Sequence, residues 1–244
     1  MARTLLSLAY LGVGAGLASC GGNDSTGVPA GFECLGQALP TTAPASIYVA
    51  GRITANFSSP SPVPHAYVYA FRSGDSTHLA GDTTDTPGNY SLTIATGGTP
   101  VNGYMTVSDS NHHLDTFVYP AVPLAGNLTE NVLMVSGSEF GVLAAAAGIT
   151  PVAGDGFIAI VVRNCQGTPV AGAMVSSNPA GEVRYNAGGL PSSTATSTST
   201  DGVAYIANLA PGNVTVQATA SGHNLRQHVV TTHANALTLT EIQP

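Results

Sequence analysis

Two adjacent histidines and a nearby aspartate are the best candidates for metal ligands in the sequence. His112, His113 and Asp115 supply two imidazoles and a carboxylate, which are ligands that zinc and non-haem iron take. Neighbouring residues on a strand point to opposite faces, so both rings reach one ion only from a turn. Asp109 and Asn111 favour a turn here. Two interpretations stay open, a solvated polar hairpin tip and a metal site, and we expect the polar tip and no metal.

Sequence motifs that carry catalysis do not occur in the chain. A nucleophile elbow needs Gly-x-Ser-x-Gly, whereas the segment 137–141 has its serine one position early. No phosphate loop, dinucleotide fingerprint or His-Glu-x-x-His is present, and all 6 basic residues are arginine. We therefore expect no catalytic residues, no cofactor and no enzyme activity. His223, His228 and His233 recur every five residues, which predicts exposed positions on an edge strand and no shared ion.

The first cysteine stands at the end of an export signal. Arg3 precedes a short apolar run, and Leu17-Ala18-Ser19-Cys20 closes it. This ending resembles the bacterial lipobox, which implies a diacylglyceryl group on the Cys20 sulfur, cleavage before Cys20 and acylation (typically palmitate) of the new amino group. Several acyl chains would hold the protein on a membrane without a spanning helix. Gly21 after the cysteine favours the outer membrane by the enterobacterial sorting pattern. The alternative is an ordinary secretory signal with a chance cysteine.

The other two cysteines form an even pair in an exported chain. An oxidising compartment favours a disulfide between Cys34 and Cys165, and two buried free thiols are the alternative.

Composition limits the classes of partner. Charged residues make up 8% of the chain and the formal net charge is -7, so there is no basic stripe for nucleic acid and no polybasic patch for anionic lipid. A hydrophobic content of 43% argues against disorder. The remaining partners are the membrane, through Cys20, and an envelope protein or glycan.

From residue 46 onward the main pattern is alternation with a period of two, in short runs between turn-forming residues. Such runs indicate strands of antiparallel β-sandwiches. Near-continuous apolar character at 158–162 predicts a central strand that is buried on both faces. The predicted strands lie at 47–53, 66–71, 90–94, 104–107, 116–119, 157–163, 173–176, 203–206, 214–218 and 237–240.

One stretch departs from this alternation. Ser136 and Glu139 have capping-box spacing, helix formers follow, and Gly148 suits the C′ position, which predicts one short helix over about 138–147. The predicted organisation is a signal peptide at 1–19, a lipid anchor and tether at 20–45, a first β-sandwich at 46–119, a connecting segment with the helix at 120–156, and a second β-sandwich at 157–244.

The two halves look like internal repeats, because 61–68 aligns with 168–175 and 84–90 aligns with 200–205. The segments 167–175, 200–216 and 220–223 together resemble the carboxypeptidase regulatory-like family, whose pattern is Gly-x-Pro-Val-x-Gly-Ala-x-Val, Thr-Asp-x-x-Gly-x-Tyr, Leu-x-Pro-Gly and Ala-x-Gly-Tyr. Here Gly202 follows Asp201 directly, as if the Thr-Asp stretch were shortened, and His223 replaces the usual aromatic residue.

The resemblance covers most of 157–240 and implies a transthyretin-like β-sandwich, with 46–119 as a more divergent copy. In this family the domains are usually non-catalytic. We expect Asp201 to hydrogen-bond backbone within its own turn, and Pro211-Gly212 to close a hairpin.

The function expected from these features is that of a non-catalytic, lipid-anchored cell-envelope protein with a structural or protein-interaction role. One alternative is a carbohydrate-binding surface module, because sandwiches bind glycans through exposed aromatic rings. The other alternative is a metal-binding protein or metalloenzyme that uses His112, His113 and Asp115. The tyrosines available as glycan platforms are Tyr67, Tyr69, Tyr104, Tyr119, Tyr185 and Tyr205.

Overall fold

The computed structural model describes residues 27–244, so the predicted signal peptide and Cys20 lie outside the described residues. The first half contains β1 (Ser46–Ala55), β2 (Ser61–Pro62), β3 (Tyr67–Arg72), β4 (His78–Thr83), β5 (Asn89–Ala95), β6 (Gly103–Ser108), β7 (Thr116–Tyr119), β8 (Leu128–Thr129) and β9 (Val132–Met134). Helix α1 (Gly137–Ala146) follows. The second half contains β10 (Gly156–Val162), β11 (Met174–Asn178), β12 (Glu182–Ala187), β13 (Leu190–Ser192), β14 (Val203–Leu209), β15 (Gly212–Ala220), β16 (His223–Asn224), β17 (His228–Thr232) and β18 (Leu237–Ile242).

The protein is an all-β fold with one short helix, as the alternation predicts, and every predicted strand is present. Strand β5 shows why alternation in the sequence indicates a strand. Every second residue of β5 is buried and the others are exposed. Strand β10 lies between β14 and β18, so the predicted central position of 158–162 is confirmed. Its burial is less complete than predicted, because Ile158, Ile160 and Val162 are buried on one face while Ala159 and Val161 on the other are half-buried.

A single nine-stranded sheet runs through both halves, in the order β13-β12-β14-β10-β18-β7-β6-β3-β4. Strands β18 and β7 pair in parallel and join the part built from the second half to the part built from the first. In the first half β1 pairs with β2 and β5, and with β8 and β9 in parallel. In the second half β15 pairs with β11, β16 and β17.

The two larger hydrophobic cores lie on opposite faces of this nine-stranded sheet. Val118 and Leu239 are partners across the β7–β18 junction, and both belong to the core of the first half. The next pair along, Tyr119 and Thr240, points to the other face, where Tyr119 joins the core of the second half. Each smaller sheet therefore covers a different side of the large one, and the first-half strands keep one face outside their own core.

The two halves repeat the same local contacts around a buried threonine. The Thr84 hydroxyl donates to the Val63 carbonyl and accepts from the Ala66 amide, at 2.7 and 2.8 Å. Thr198 makes the same two contacts with Val170 and Ala173, at 2.7 and 2.9 Å. Thr198 is therefore the counterpart of Thr84.

This correspondence corrects the alignment of Thr84-Asp85 with Thr200-Asp201. A Cβ on Gly88 would lie 2.5 Å from the Ile53 carbonyl oxygen, and one on Gly202 would lie 2.6 Å from the Val162 carbonyl oxygen. The spacing from threonine to glycine is thus four residues in both halves, and the second copy is not shortened at this turn.

Residues near the start of the described chain pack on the second half, although they precede the first half in sequence. Phe32 is 5% exposed and sits in the second core, and Cys34 is disulfide-bonded to Cys165 as predicted. The Cys165 amide donates to the Gly31 carbonyl at 2.8 Å, and the Arg226 side chain donates to the Gln37 carbonyl at 2.8 Å. Much of the expected tether at 20–45 is therefore a docked part of the second sandwich.

The expected connecting segment at 120–156 also holds more structure than the helix. Strands β8 and β9 in this range pair with β1 and complete the first sandwich. The helix itself is confirmed: the Ser136 hydroxyl accepts from the Glu139 amide at 3.2 Å, and the Glu139 carboxylate accepts from the Ser136 amide at 2.9 Å. Gly148 takes a φ of 65° after the C-cap. Within residues 27–244 no helix is long and apolar enough to cross a membrane.

The prediction of a hairpin at Pro211-Gly212 is wrong. Strand β14 before the turn belongs to the nine-stranded sheet, and β15 after it pairs with β11, β16 and β17. The turn therefore carries the chain from one layer to the other.

Candidate functional site

A group of aromatic side chains covers the face of β3, β6 and β7 that points away from the first core; we call it the aromatic face. Register places these side chains together, because Phe71 is opposite Tyr104 and the next pairs toward the other end of β3 are Tyr69 with Thr106 and Tyr67 with Ser108. The aromatic face consists of Tyr67, Tyr69, Phe71, Tyr104, Phe117 and Tyr119.

The rings are close and several are nearly parallel. Tyr104 lies between Phe71 and Tyr119, with centroid distances of 5.2 and 5.1 Å and interplanar angles of 15° and 18°. Tyr67 and Tyr69 are 6.5 Å apart at 4°. His78 on β4 connects the two groups, since its ring is 5.2 Å from Tyr69 and 6.3 Å from Phe71.

Exposure changes along the aromatic face. Tyr67 is 50% exposed, Tyr69, Phe71 and Tyr104 are half-buried, and Tyr119 is buried against the second half. The Tyr69 ring lies over Gly81 of β4, where an added Cβ would be 2.6 Å from the ring. Glycine at 81 therefore leaves the space that this ring occupies.

The aromatic face holds hydroxyl groups and no formal charge on β3, β4 and β6. Between and beside the rings stand Thr106 and Ser108 on β6 and Thr83 on β4. The nearest charged residues on these strands, Arg72 and Asp82, are paired with Gly103 and Val68 on the opposite face. This surface can pack against apolar C–H groups and exchange hydrogen bonds with hydroxyls.

Two of the six tyrosines expected as platforms lie elsewhere. The Tyr185 hydroxyl is buried and accepts from the Val175 amide at 3.0 Å. The Tyr205 hydroxyl donates to the Asn186 side chain at 2.9 Å, and burial raises its pKa. Both are structural residues of the second sandwich.

The structure does not bring the histidine pair together with Asp115. His113 turns its Nδ1 to the Asp109 carboxylate at 2.6 Å, and His112 takes a φ of 64° in the expected turn. Burial raises the pKa of Asp109, but hydrogen bonds from His113 and Asn111 outweigh it, and the net shift is downward. Across residues 27–244, no three side chains of the histidine, cysteine, aspartate and glutamate types are grouped to hold an ion. His112, His113 and Asp115 therefore do not lie together as one set of metal ligands.

The three later histidines, His223, His228 and His233, are all half-buried and so are less exposed than expected. The His228 ring nitrogen Nε2 is 2.7 Å from the Thr240 hydroxyl, and burial lowers the pKa of His228 to about 4. His233 stacks on Phe117 with centroids 3.6 Å apart. His228 lies on β17, a strand at the end of the smaller sheet, as predicted, and it contacts β18 of the other layer through Thr240.

Asp201 has the predicted turn role. Its carboxylate accepts from the Val203 amide at 3.1 Å, from the Ser199 hydroxyl at 2.7 Å and from the Asn186 side chain at 2.7 Å. These three contacts satisfy the carboxylate within the protein.

A group of buried charged residues lies between the halves, and no motif in the sequence predicted it. Arg163 pairs with Glu241 and also donates to the Gly167 carbonyl at 2.9 Å. Burial and the nearby Glu241 carboxylate raise the pKa of Glu130 to about 8, although Arg163 lowers it. Glu130 also lines a small cavity whose other walls are apolar, including Val49, Leu92 and Met105.

Comparison with known proteins gives only distant likeness. No family model matches the chain, and no curated protein matches it. Among solved structures, the Bacillus anthracis TIE protein is 11% identical with a TM-score of 0.27, over 81% of this chain and 35% of that one. A streptococcal ancillary pilin is 11% identical with a TM-score of 0.26, over 82% and 62%. The shaft pilin SpaA of Lactobacillus rhamnosus GG is 11% identical with a TM-score of 0.24, over 84% and 98%. The chain thus spans less than two thirds of the first two structures, and similarity at this level carries no information on function.

Proposed function

We propose that this protein is a non-catalytic module of the bacterial cell envelope, anchored by lipid at Cys20, with a structural or protein-interaction role. The observation that supports it is the docking of the chain that follows the anchor. Phe32 is buried in the second core and Cys34 is bonded to Cys165, so this segment is fixed to the folded body.

The distance from the anchor to this body is short. Gly27, the first described residue, follows Cys20 by seven positions, and seven fully extended residues span at most about 25 Å. With acyl chains on Cys20, the second sandwich stays near the membrane. The β18–β7 pairing then makes the first sandwich a continuation of the same sheet, so the first half is presented with the second as its base.

We further propose that the second half belongs to the carboxypeptidase regulatory-like family and that the anchor is in the outer membrane. The family assignment is supported by the resemblance of 167–175 and 220–223 to the family pattern, and by the turn at Asp201 and Gly202, where the Asp201 carboxylate accepts from the Val203 amide. The outer-membrane assignment is supported by Gly21 after the cysteine.

Anchoring is tested with Cys20→Ala and the unchanged chain, expressed in a bacterium that processes lipoproteins. We expect the unchanged protein to start at Cys20, to carry acyl mass and to fractionate with membranes, and the variant to lose all three properties. A mature start beyond residue 20 without acyl mass contradicts the proposal. Separation of inner from outer membranes on a density gradient tests the outer-membrane assignment.

The interaction role is tested on the lipidated protein in intact cells. A photo-crosslinking amino acid at Thr83, beside the aromatic face, is compared with one at Thr93, which pairs with Tyr48 on the other sheet. We expect a discrete cross-linked envelope species from position 83 alone. Absence of any cross-link, together with an unchanged envelope in a deletion strain, argues against the role.

A further inference from the structure

The uncharged, ring-lined surface of the first sandwich suggests the class of ligand that an envelope module would take there. Five of the six rings of the aromatic face are exposed or half-buried, and four of these lie on β3 and its neighbour β6. Tyr67 is paired with the hydroxyl residues Thr83 and Ser108, and Tyr69 with Thr106, so hydrogen-bonding groups stand beside the rings at this end of the surface.

A sugar ring has the matching chemistry. Its two faces carry C–H groups, which pack on aromatic rings, and its rim carries hydroxyls, which exchange hydrogen bonds with Ser, Thr, Tyr and His side chains. The Tyr67 and Tyr69 rings are parallel within 4° and 6.5 Å apart, and His78 and Phe71 continue the series toward Tyr104. A series of rings along one strand fits an extended chain of sugars better than a single small molecule.

Charge decides which sugars fit. The formal net charge of -7 repels an anionic polysaccharide, and no arginine stands on this face of β3, β4 and β6 to compensate. A neutral chain meets no charged group there that would lose its hydration on binding.

We propose that the aromatic face binds a neutral glycan chain, with Tyr67 and Tyr69 as the main stacking residues and Thr106 and Ser108 as hydrogen-bonding residues; this rests on the proposed envelope role. The exposed end at Tyr67 takes the first sugar, and the chain runs along β3 toward Phe71 and Tyr104. Gly81 is part of the site, because it leaves room for the Tyr69 ring.

Tyr48 provides a matched control. It is 52% exposed, close to the 50% of Tyr67, but it lies on β1 with its ring on the outer surface of the other sheet. Truncation of either tyrosine removes a similar exposed ring, and only one of them belongs to the aromatic face.

The test uses the full lipidated protein in detergent micelles on an array of neutral gluco-, manno-, xylo- and galacto-oligosaccharides, with oligogalacturonates as anionic probes. Titration calorimetry with the strongest neutral oligosaccharide follows. We expect Tyr67→Ala and Tyr69→Ala each to weaken binding at least about tenfold, or about 1.4 kcal/mol. Tyr48→Ala and Tyr67→Phe should stay within about threefold, since the latter keeps the ring. Equal melting temperatures show that each variant is folded.

The opposite results overturn the inference. They are no binding to any neutral oligosaccharide, binding to the anionic probes alone, and neutral binding that Tyr67→Ala and Tyr69→Ala leave unchanged. A protein cross-link at position 83 without glycan binding also overturns it, yet retains the proposed function. Glycan binding by a protein that proves not to be acylated supports the aromatic face and contradicts the anchoring.

Discussion

Loss of the Cys34–Cys165 disulfide should lower stability by an amount set by the length of chain that it closes. The two residues are 131 positions apart, and the bond encloses the whole first sandwich. In the chain-entropy model a loop of this length restricts the unfolded chain by about 5 kcal/mol at 25 °C. Since ordinary domains unfold at a cost of about 5–15 kcal/mol, this is a large share of the total.

The assay is urea unfolding of residues 21–244, which avoids the thiol of Cys20, with Cys34→Ala/Cys165→Ala as the variant. The structure adds a second expectation, because the bond also holds Phe32 in the second core. With the disulfide intact, Phe32→Ala should cost about 3–5 kcal/mol, as for other buried phenylalanines. Without it, the docked segment can leave the core before the rest unfolds, so the same substitution should cost at least about 1 kcal/mol less.

Two results would refute this reasoning. A stability loss under about 1 kcal/mol on removal of both cysteines would show that the bond does not restrict the unfolded chain as assumed. Losses for Phe32→Ala that agree within about 0.5 kcal/mol in the two backgrounds would show that the disulfide and the buried ring act independently. Reduction of the unchanged protein serves as a control, because it opens the same loop without a substitution.

Further predictions concern single positions and use the same unfolding assay. The pKa of Glu130 is raised from its ordinary 4.5 to about 8, chiefly by burial, so the folded protein holds a proton that the unfolded chain releases. Stability should be highest below about pH 4.5 on this account and fall by up to about 1.4 kcal/mol per unit as pH rises to about 8. Glu130→Gln should remove that dependence, and identical pH profiles would contradict the assignment. Gly202→Ala should cost at least about 2 kcal/mol, because a Cβ there meets the Val162 carbonyl at 2.6 Å with φ at 69°; Gly167→Ala, at φ 74° in open space, should cost about 1 kcal/mol. Ser136→Ala should cost about 1 kcal/mol through the lost helix cap, and no change would show that Glu139 holds the helix start alone.

Most of the longer strands with one buried face were predictable, because burial imposes alternation on the sequence. The strands that were missed include β9 and β12, which hold buried residues, and β4 and β13 at the two ends of the nine-stranded sheet. Strand β4 reads His-Leu-Ala-Gly-Asp-Thr, without alternation, and β13 is three residues long and contains a proline. An end strand has a neighbour on one side only and little burial, so its sequence is weakly constrained.

The pairing between strands that are far apart in sequence was the larger part of the fold that could not be predicted. Alternation places Tyr67 and Tyr69 on one face, but their union with Tyr104 depends on β6 lying beside β3. The docking of Phe32 and the pairing of β18 with β7 likewise join segments that are far apart in sequence. Local composition does not encode such contacts, so the aromatic face could be proposed as scattered platforms but not as one surface.

The β18–β7 junction also bears on how the chain assembles as it is synthesised. Synthesis adds residues from the amino terminus onward, and the strand that fills the gap between β10 and β7 comes after both of them in sequence. Until Leu237–Ile242 arrives, β7 and β10 both expose an unpaired edge, which is the kind of surface that recruits a neighbouring chain. The disulfide of Cys34 likewise forms only after Cys165 has been added to the chain. Completion of both halves therefore depends on the same strand, and removal of Leu237–Ile242 should expose two edges at once.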